Sequence, residues 1–259
     1  MNRIIDYKNL SEEIQNWIIN YVNDYNIKTL VIGVSGGIDS AVVSTLCART
    51  GIPTIAVGMP LNSKPENTKL SELQLDFLSS LGVKTVEYDL SKTFKSFENL
   101  MSDFFVSDLS SANSKSRMRM MTLYHIATTM KGIVVGTGNK VEDFGVGFYT
   151  KYGDGGVDIS PIADLYKTEV RELGRHLGVP QEIINATPTD GLWDDDRNDE
   201  EQIGTTYEEL EWVMEYGIDK LSYTDKEFKV LQIYQNFNEK NKHKMVPIPI
   251  FDLKENEII

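Results

Sequence analysis

Thr29-Leu30-Val31-Ile32-Gly33-Val34-Ser35-Gly36-Gly37-Ile38-Asp39-Ser40-Ala41-Val42-Val43-Ser44-Thr45-Leu46 decides the fold. Its first six residues form a short unbroken apolar run, the pattern of a strand buried on both faces. From Ala41 to Ala48 the chain reads as a helix. Between them lies a turn with two glycines, two serines and one acid. A helix that starts so abruptly offers unpaired backbone N–H groups and a positive dipole end, which suit an anion. Glycines let the backbone approach that anion, and Ser35 and Ser40 can add hydroxyl donors. Asp39 is out of place beside a phosphate unless a Mg²⁺ ion takes the carboxylate and phosphate oxygens together.

The same alternation runs outward in both directions. Upstream, Ile14, Trp17, Ile18, Tyr21, Val22 and Tyr25 recur at helical spacing, with Ser11 as the expected N-cap. Downstream, strands are expected at Ile52–Val57, Val83–Tyr88 and Ile133–Val135. Helices are expected at about 92–105 and 115–130, and on the inner faces Leu70/Leu73/Phe77/Leu81 and Tyr166/Val170/Leu173/Leu177. Tyr207–Met214 and Lys226–Phe237 read as late helices. Strands alternating with such helices predict an α/β fold: a doubly wound, mostly parallel sheet flanked by helices. Two stretches carry no clear periodicity. Residues 136–161 hold seven glycines, and residues 187–205 are acidic. Stretches this long inside a domain are usually functional or disordered.

Composition narrows the partners. The 26 Lys+Arg against 39 Asp+Glu leave a formal charge of −13 over 259 residues, which disfavours nucleic acid and anionic membranes. No apolar run is long enough to span a bilayer, and no signal-peptide pattern opens the chain. The single cysteine, Cys47, excludes an internal disulfide, fits a cytoplasmic location, and reads as a small buried hydrophobe. Three histidines leave little for a His/Cys metal cage.

The turn lacks G-x-x-x-x-G-K-[ST], and Gly136-Thr137-Gly138 lacks the third glycine of a dinucleotide loop. The ordered set Ser35-Gly36-Gly37-Ile38-Asp39-Ser40 instead resembles the pyrophosphate loop of the ATP pyrophosphatase superfamily, with its Rossmann-type, adenine nucleotide alpha hydrolase-like fold. Within that group the later motifs resemble NAD synthetases. They are Gly136-Thr137-Gly138-Asn139-Lys140-Val141-Glu142, Phe148 to Asp158, Pro161 to Arg171, Pro188-Thr189, and His243-Lys244 followed by Pro247.

The resemblance implies a ligase that makes NAD, AMP and pyrophosphate from deamido-NAD, ATP and ammonia through a nicotinate acyl-adenylate, the last step of NAD biosynthesis. It implies ATP contacts at Gly33, Val34, Ser35, Gly36, Gly37, Ile38, Asp39, Ser40, Thr137, Lys167 and Thr189. It implies Mg²⁺ on Asp39 and Glu142, catalytic roles for Asp39 and Lys167, and deamido-NAD contacts at Arg117, Lys151, Asp158, His243 and Lys244. It implies a homodimer, for which the N-terminal helix and the 115–130 helix are candidate contacts because they are rich in Trp, Tyr and Met. No Pro/Gly/Ser-rich linker divides the chain, so one domain is expected over residues 1–259. The short stretch before the first strand and the place of Cys47 speak against a glutamine amidotransferase domain, so ammonia is expected to be free or supplied by a separate partner.

Each residue also has a plainer reading. Asp39 fits a dipole-favoured helix acid, Glu142 an ordinary loop acid, Lys167 a solvated helix lysine opposite Leu173, and His243 a surface histidine on a polar tail. One of Arg117 and Arg119 is read as solvated. Asp190 stands where relatives have a small residue, and the loop 59–65 is given no ATP contact. The run around Trp193, with seven acids and one arginine over 190–201, reads either as a solvated loop or as a lid that excludes water from a hydrolysable intermediate.

Overall fold

Strand β1 (Thr29–Val34) is the central axis of the fold. Leu30, Ile32 and Val34 face one apolar cluster and Val31 faces another, so the continuous apolar run is buried on both sides. The computed structural model describes residues 3–4, 6–61, 65–104, 107–188 and 198–251. The order of elements is α1 (Tyr7–Asp24), β1, α2 (Ile38–Arg49), β2 (Thr54–Gly58), α3 (Pro65–Ser80), β3 (Lys84–Glu87), α4 (Ser91–Leu100), α5 (Asp108–Thr129) and β4 (Gly132–Val134). A π-helix, Lys140–Val146, follows, then α6 (Lys167–Leu177), α7 (Gln181–Ile184), α8 (Asp199–Ile203) and α9 (Tyr207–Trp212). A second π-helix, Val213–Gly217, and α10 (Asp225–Met245) complete the described fold.

The four strands are parallel in the order β3-β2-β1-β4. The register runs Leu30 to Thr54 on one side of β1 and Thr29 to Gly132 on the other. Val135 extends the sheet by pairing with Ile159 in parallel. The chain moves from β1 out to β3 and then returns across to β4. The strand order therefore reverses beside β1, and a crevice opens at the C-terminal ends of β1 and β4. Helices α1, α2 and α6 cover one face, and α4 and α5 cover the other, as the α/β pattern predicts. A third apolar cluster, with Val141, Val146, Tyr207, Leu210, Val213 and Leu231, packs α9 and α10 against the first π-helix.

Several local expectations are corrected. The N-cap of α1 is Asp6, whose carboxylate accepts the Asn9 N–H at 3.0 Å; Ser11 is buried inside the helix and bonds Gln15. Ile14, Ile18 and Val22 form its buried stripe, whereas Trp17 and Tyr25 are exposed. The inner face of α3 is Ser71, Gln74, Leu75 and Leu78, so Leu70, Leu73 and Phe77 flank it and Leu81 lies outside. The reason is chemical. Ser71 donates to the Val34 carbonyl at 2.9 Å, and Gln74 donates to the Ala41 carbonyl at 3.2 Å, so the buried stripe is half polar. An apolar pattern cannot find such a stripe.

Candidate active site

The turn after β1 brings its loop to the crevice beside β4. Gly36 has φ +87°, a conformation that a residue with a Cβ rarely adopts. Gly37, at the N-cap of α2, has no side chain to satisfy the first N–H groups, so this helix end remains suited to an anion. Ser35 and Ser40 brace the loop itself. Their hydroxyls lie 3.1 Å apart, Ser40 Oγ accepts the Ser35 N–H at 3.2 Å, and Ser35 Oγ accepts the Gly37 N–H at 3.2 Å.

Asp39 stands in the first turn of α2, Glu142 in the first turn of the π-helix, and Lys167 is the first residue of α6. Lys167 Nζ lies 2.5 Å from Asp39 Oδ2 and 2.9 Å from Glu142 Oε1, with only 4% of its side chain exposed. The solvated reading of Lys167 is therefore wrong. Burial alone would lower its pKa, but Asp39, Glu142 and Asp199 outweigh burial and hold the ammonium above its usual range. Burial pushes Asp39 up against the pull of Lys167, and Glu142 adds to the push. Burial also opposes the Glu142 charge, but Lys167 and the Tyr207 hydroxyl hold this carboxyl below its usual range.

Asn139 and α10 support this trio. Asn139 is fully buried; its Oδ1 accepts the Val141 and Glu142 N–H groups, and its Nδ2 donates to Asp39 Oδ1 at 3.3 Å. From α10, Asn238 and Asn241 donate to the carbonyls of Gly145 and Val146, each at 2.8 Å. Lys244 Nζ continues that row onto the carbonyls of Gly147 at 2.5 Å and Tyr149 at 2.8 Å. Three donors spaced one helical turn apart thus hold the end of the π-helix.

A cleft of about 300 Å³ joins these parts. Loop 33–40, Thr137, Glu142 and Lys167 line it, which brings most of the expected ATP and Mg²⁺ residues together. Arg119 also lines it and donates to the Met59 carbonyl at 3.1 Å, whereas the exposed Arg117 donates to the Lys151 carbonyl at 3.2 Å beside a second, shallower hollow. Asp158 accepts the Val134 N–H at 2.7 Å and the Tyr124 hydroxyl at 3.1 Å, outside the cleft. Lys151 donates to the His243 carbonyl at 3.2 Å, and both lie away from the cleft wall. His243 and Lys244 belong to the last turn of α10 rather than to a tail, but His243 is exposed, as its surface reading expects. Thr189, Asp190, Trp193 and the lid reading lie outside the described residues.

Sequence reasoning missed Met59, Pro60, Asp143, Asp154 and Asp199, all of which line the cleft, and Tyr207 behind it. No group of three or more His, Cys, Asp or Glu side chains is arranged to hold a metal among the described residues. Two carboxylates with room for phosphate oxygens are nonetheless how Mg²⁺ is commonly held. Also among the described residues, no helix is long and apolar enough to cross a membrane.

This arrangement defines a doubly wound α/β protein with a glycine-rich loop and a buried lysine–carboxylate centre at its topological switch point. The chain belongs to the NAD synthase family, whose model matches residues 10–247. It is 40% identical over 211 residues to an NH(3)-dependent NAD(+) synthetase from Mesoplasma florum, covering 80% of this chain and 84% of that protein. Among solved structures it is similar to an NMN synthetase from Francisella tularensis, with 31% identity, a TM-score of 0.83, and 96% of this chain and 100% of that one covered. An NH3-dependent NAD synthetase from Campylobacter jejuni aligns with 25% identity and a TM-score of 0.77, over 96% of this chain and 100% of that one.

One carboxyl on the cleft wall titrates far from its usual range. Burial, then Glu142, Asp154 and Asp39, push Asp143 up to about 8 against the pull of Lys244. An unfolded chain gives up this proton near pH 4, the usual aspartate value. The fold keeps the proton until about pH 8, so this group makes the unliganded protein less stable as pH rises between those values. Asp143→Asn should therefore raise the melting temperature relative to the parent, least at pH 5 and most at pH 8. A difference that does not change with pH would contradict the assignment.

Proposed function

We propose that this chain is an ammonia-dependent NAD synthetase, a carbon–nitrogen ligase built as a single catalytic domain. The observation that carries the reading is the Lys167 ammonium, held between Asp39 and Glu142 in the cleft that the 33–40 loop also lines. The family match and the relatives named above support it.

In the proposed reaction a nicotinate carboxylate oxygen of deamido-NAD attacks the ATP α-phosphorus. The bond to the bridging oxygen breaks and pyrophosphate leaves, giving the acyl-adenylate. Ammonia then attacks the acyl carbon, the bond to AMP breaks, and the nitrogen loses a proton. The N–H groups of the loop and the start of α2 hold the leaving pyrophosphate, and Lys167 offsets charge that builds on the phosphates. Asp39 and Glu142 would hold Mg²⁺, which when bound would supply positive charge at the phosphate oxygens. Thr137 lines the ATP side; Thr189 completes the proposed ATP contacts. Arg117, Lys151, Asp158, His243 and Lys244 are the proposed deamido-NAD contacts. Positioning two large anions supplies most of the acceleration, with no covalent enzyme nucleophile.

A second reading rests on one specific observation: the 31% identity and full-length alignment with a protein described as an NMN synthetase. There the acceptor would be nicotinate mononucleotide, with the same carboxylate and the same ATP chemistry. Incubating the protein with ATP, Mg²⁺, ammonium and each acceptor in turn separates the two. The first reading expects NAD and stoichiometric AMP and pyrophosphate, with the higher kcat/KM for deamido-NAD. A higher kcat/KM for the mononucleotide would favour the second, and no amide product from folded protein would sink both. Asp39→Asn should lower turnover at least about 100-fold while leaving the circular dichroism spectrum unchanged.

We also place the protein in the cytoplasm as a homodimer, with α1 and α5 as candidate contacts. Trp17 and Tyr25 on α1, and Leu109 and Met121 on α5, are exposed large apolar side chains. Light scattering at micromolar concentration should return twice the chain mass of 29.3 kDa; a monomer would contradict the assembly.

A further inference from the structure

Tyr207 opens α9, and its ring belongs to the third apolar cluster with only 1% exposure. Its backbone N–H is fixed by Glu200 Oε1 at 3.0 Å. From there the phenol crosses into the lysine–carboxylate centre. Its hydroxyl donates to Glu142 Oε1 at 2.6 Å and lies 3.3 Å from Asp199 Oδ2. The Lys167 ammonium sits 5.0 Å from the centroid of the same ring.

The distribution of these contacts is uneven. Glu142 Oε1 accepts both the Tyr207 hydroxyl and the Lys167 ammonium. The Asn139 side chain also steadies this carboxylate, and Glu142 lines the cleft. Two donors on one oxygen tie Oε1 down and leave Oε2 the less engaged of the pair. The short contact to Glu142 makes the phenol hydroxyl a donor to this carboxylate.

We propose that Tyr207 is a positioning residue whose hydroxyl orients Glu142, so that this carboxylate presents its second oxygen to the divalent cation used with ATP. The inference rests on the Mg²⁺ reading given above. The simpler alternative is that Tyr207 only fills the third cluster. Phenylalanine separates the two, because it keeps the ring and loses the hydroxyl.

The probe is Mn²⁺ binding, followed by electron paramagnetic resonance with α,β-methylene-ATP present and no acceptor. Tyr207→Phe should weaken Mn²⁺ binding about tenfold or more, the usual effect of losing a partner that orients a metal ligand. The Mg²⁺ concentration for half-maximal turnover should rise in step, with kcat at saturating Mg²⁺ nearly unchanged. In a Glu142→Gln background, adding Tyr207→Phe should cause little further loss. Parental Mn²⁺ affinity in Tyr207→Phe would overturn the proposal, as would an undiminished loss in the Glu142→Gln background. Parental affinity in Glu142→Gln itself would overturn the Mg²⁺ reading and this proposal with it.

Discussion

A buried ammonium between two carboxylates is the interaction on which the rest of the structure depends. Lys167 joins the first turns of α2 and the π-helix to the start of α6, three segments far apart in sequence. Removing one partner from such a buried group strands the others, a loss of about 3–5 kcal/mol in comparable proteins. The trio carries two negative charges and one positive. Its remaining negative charge lines the same cleft as the N-terminus of α2 and the loop before it. That combination favours a cation and an anion bound together, the form in which a nucleoside triphosphate meets Mg²⁺.

The outer helices hold this centre in place. The row Asn238, Asn241 and Lys244 on α10 ties down the carbonyls at the end of the π-helix, and Asn139 ties its first turn to Asp39. At the start of α6, Tyr166 N–H donates to Glu169 Oε2 at 2.8 Å, and Arg3 clamps Glu169 through Oε1 at 2.9 Å and Oε2 at 2.7 Å. The residue that begins α6 is thereby fixed from the N-terminal arm as well. Burial lowers the pKa of Lys244, in keeping with a lysine used as a backbone clamp.

Much of this was legible in the sequence because local patterns carry it. The apolar run Thr29–Val34, with Ser-Gly-Gly-x-Asp-Ser after it, marks the buried strand and the glycine-rich turn into α2, and short apolar runs and period-3.6 patterns mark most of the other elements. What escaped lies where burial is polar or contact is long-range. Ser71 and Gln74 sit on the inner face of α3 because they bond main-chain carbonyls. The π-helix was hidden in a glycine-rich stretch with no period of its own. Tyr207 looked like one more apolar helix residue, since nothing local shows that its hydroxyl reaches Glu142, 65 positions away. Arg117 and Arg119 could not be told apart by spacing; the cleft separates them because one faces the Met59 carbonyl and the other the Lys151 carbonyl.

The most direct measurement is a crystal structure of the protein with Mg²⁺ and α,β-methylene-ATP. The account predicts phosphates against residues 35–40, the metal on Asp39 and Glu142, and Lys167 Nζ moved from at least one carboxylate onto a phosphate oxygen. A nucleotide bound elsewhere, with Lys167 still on both carboxylates, would contradict it.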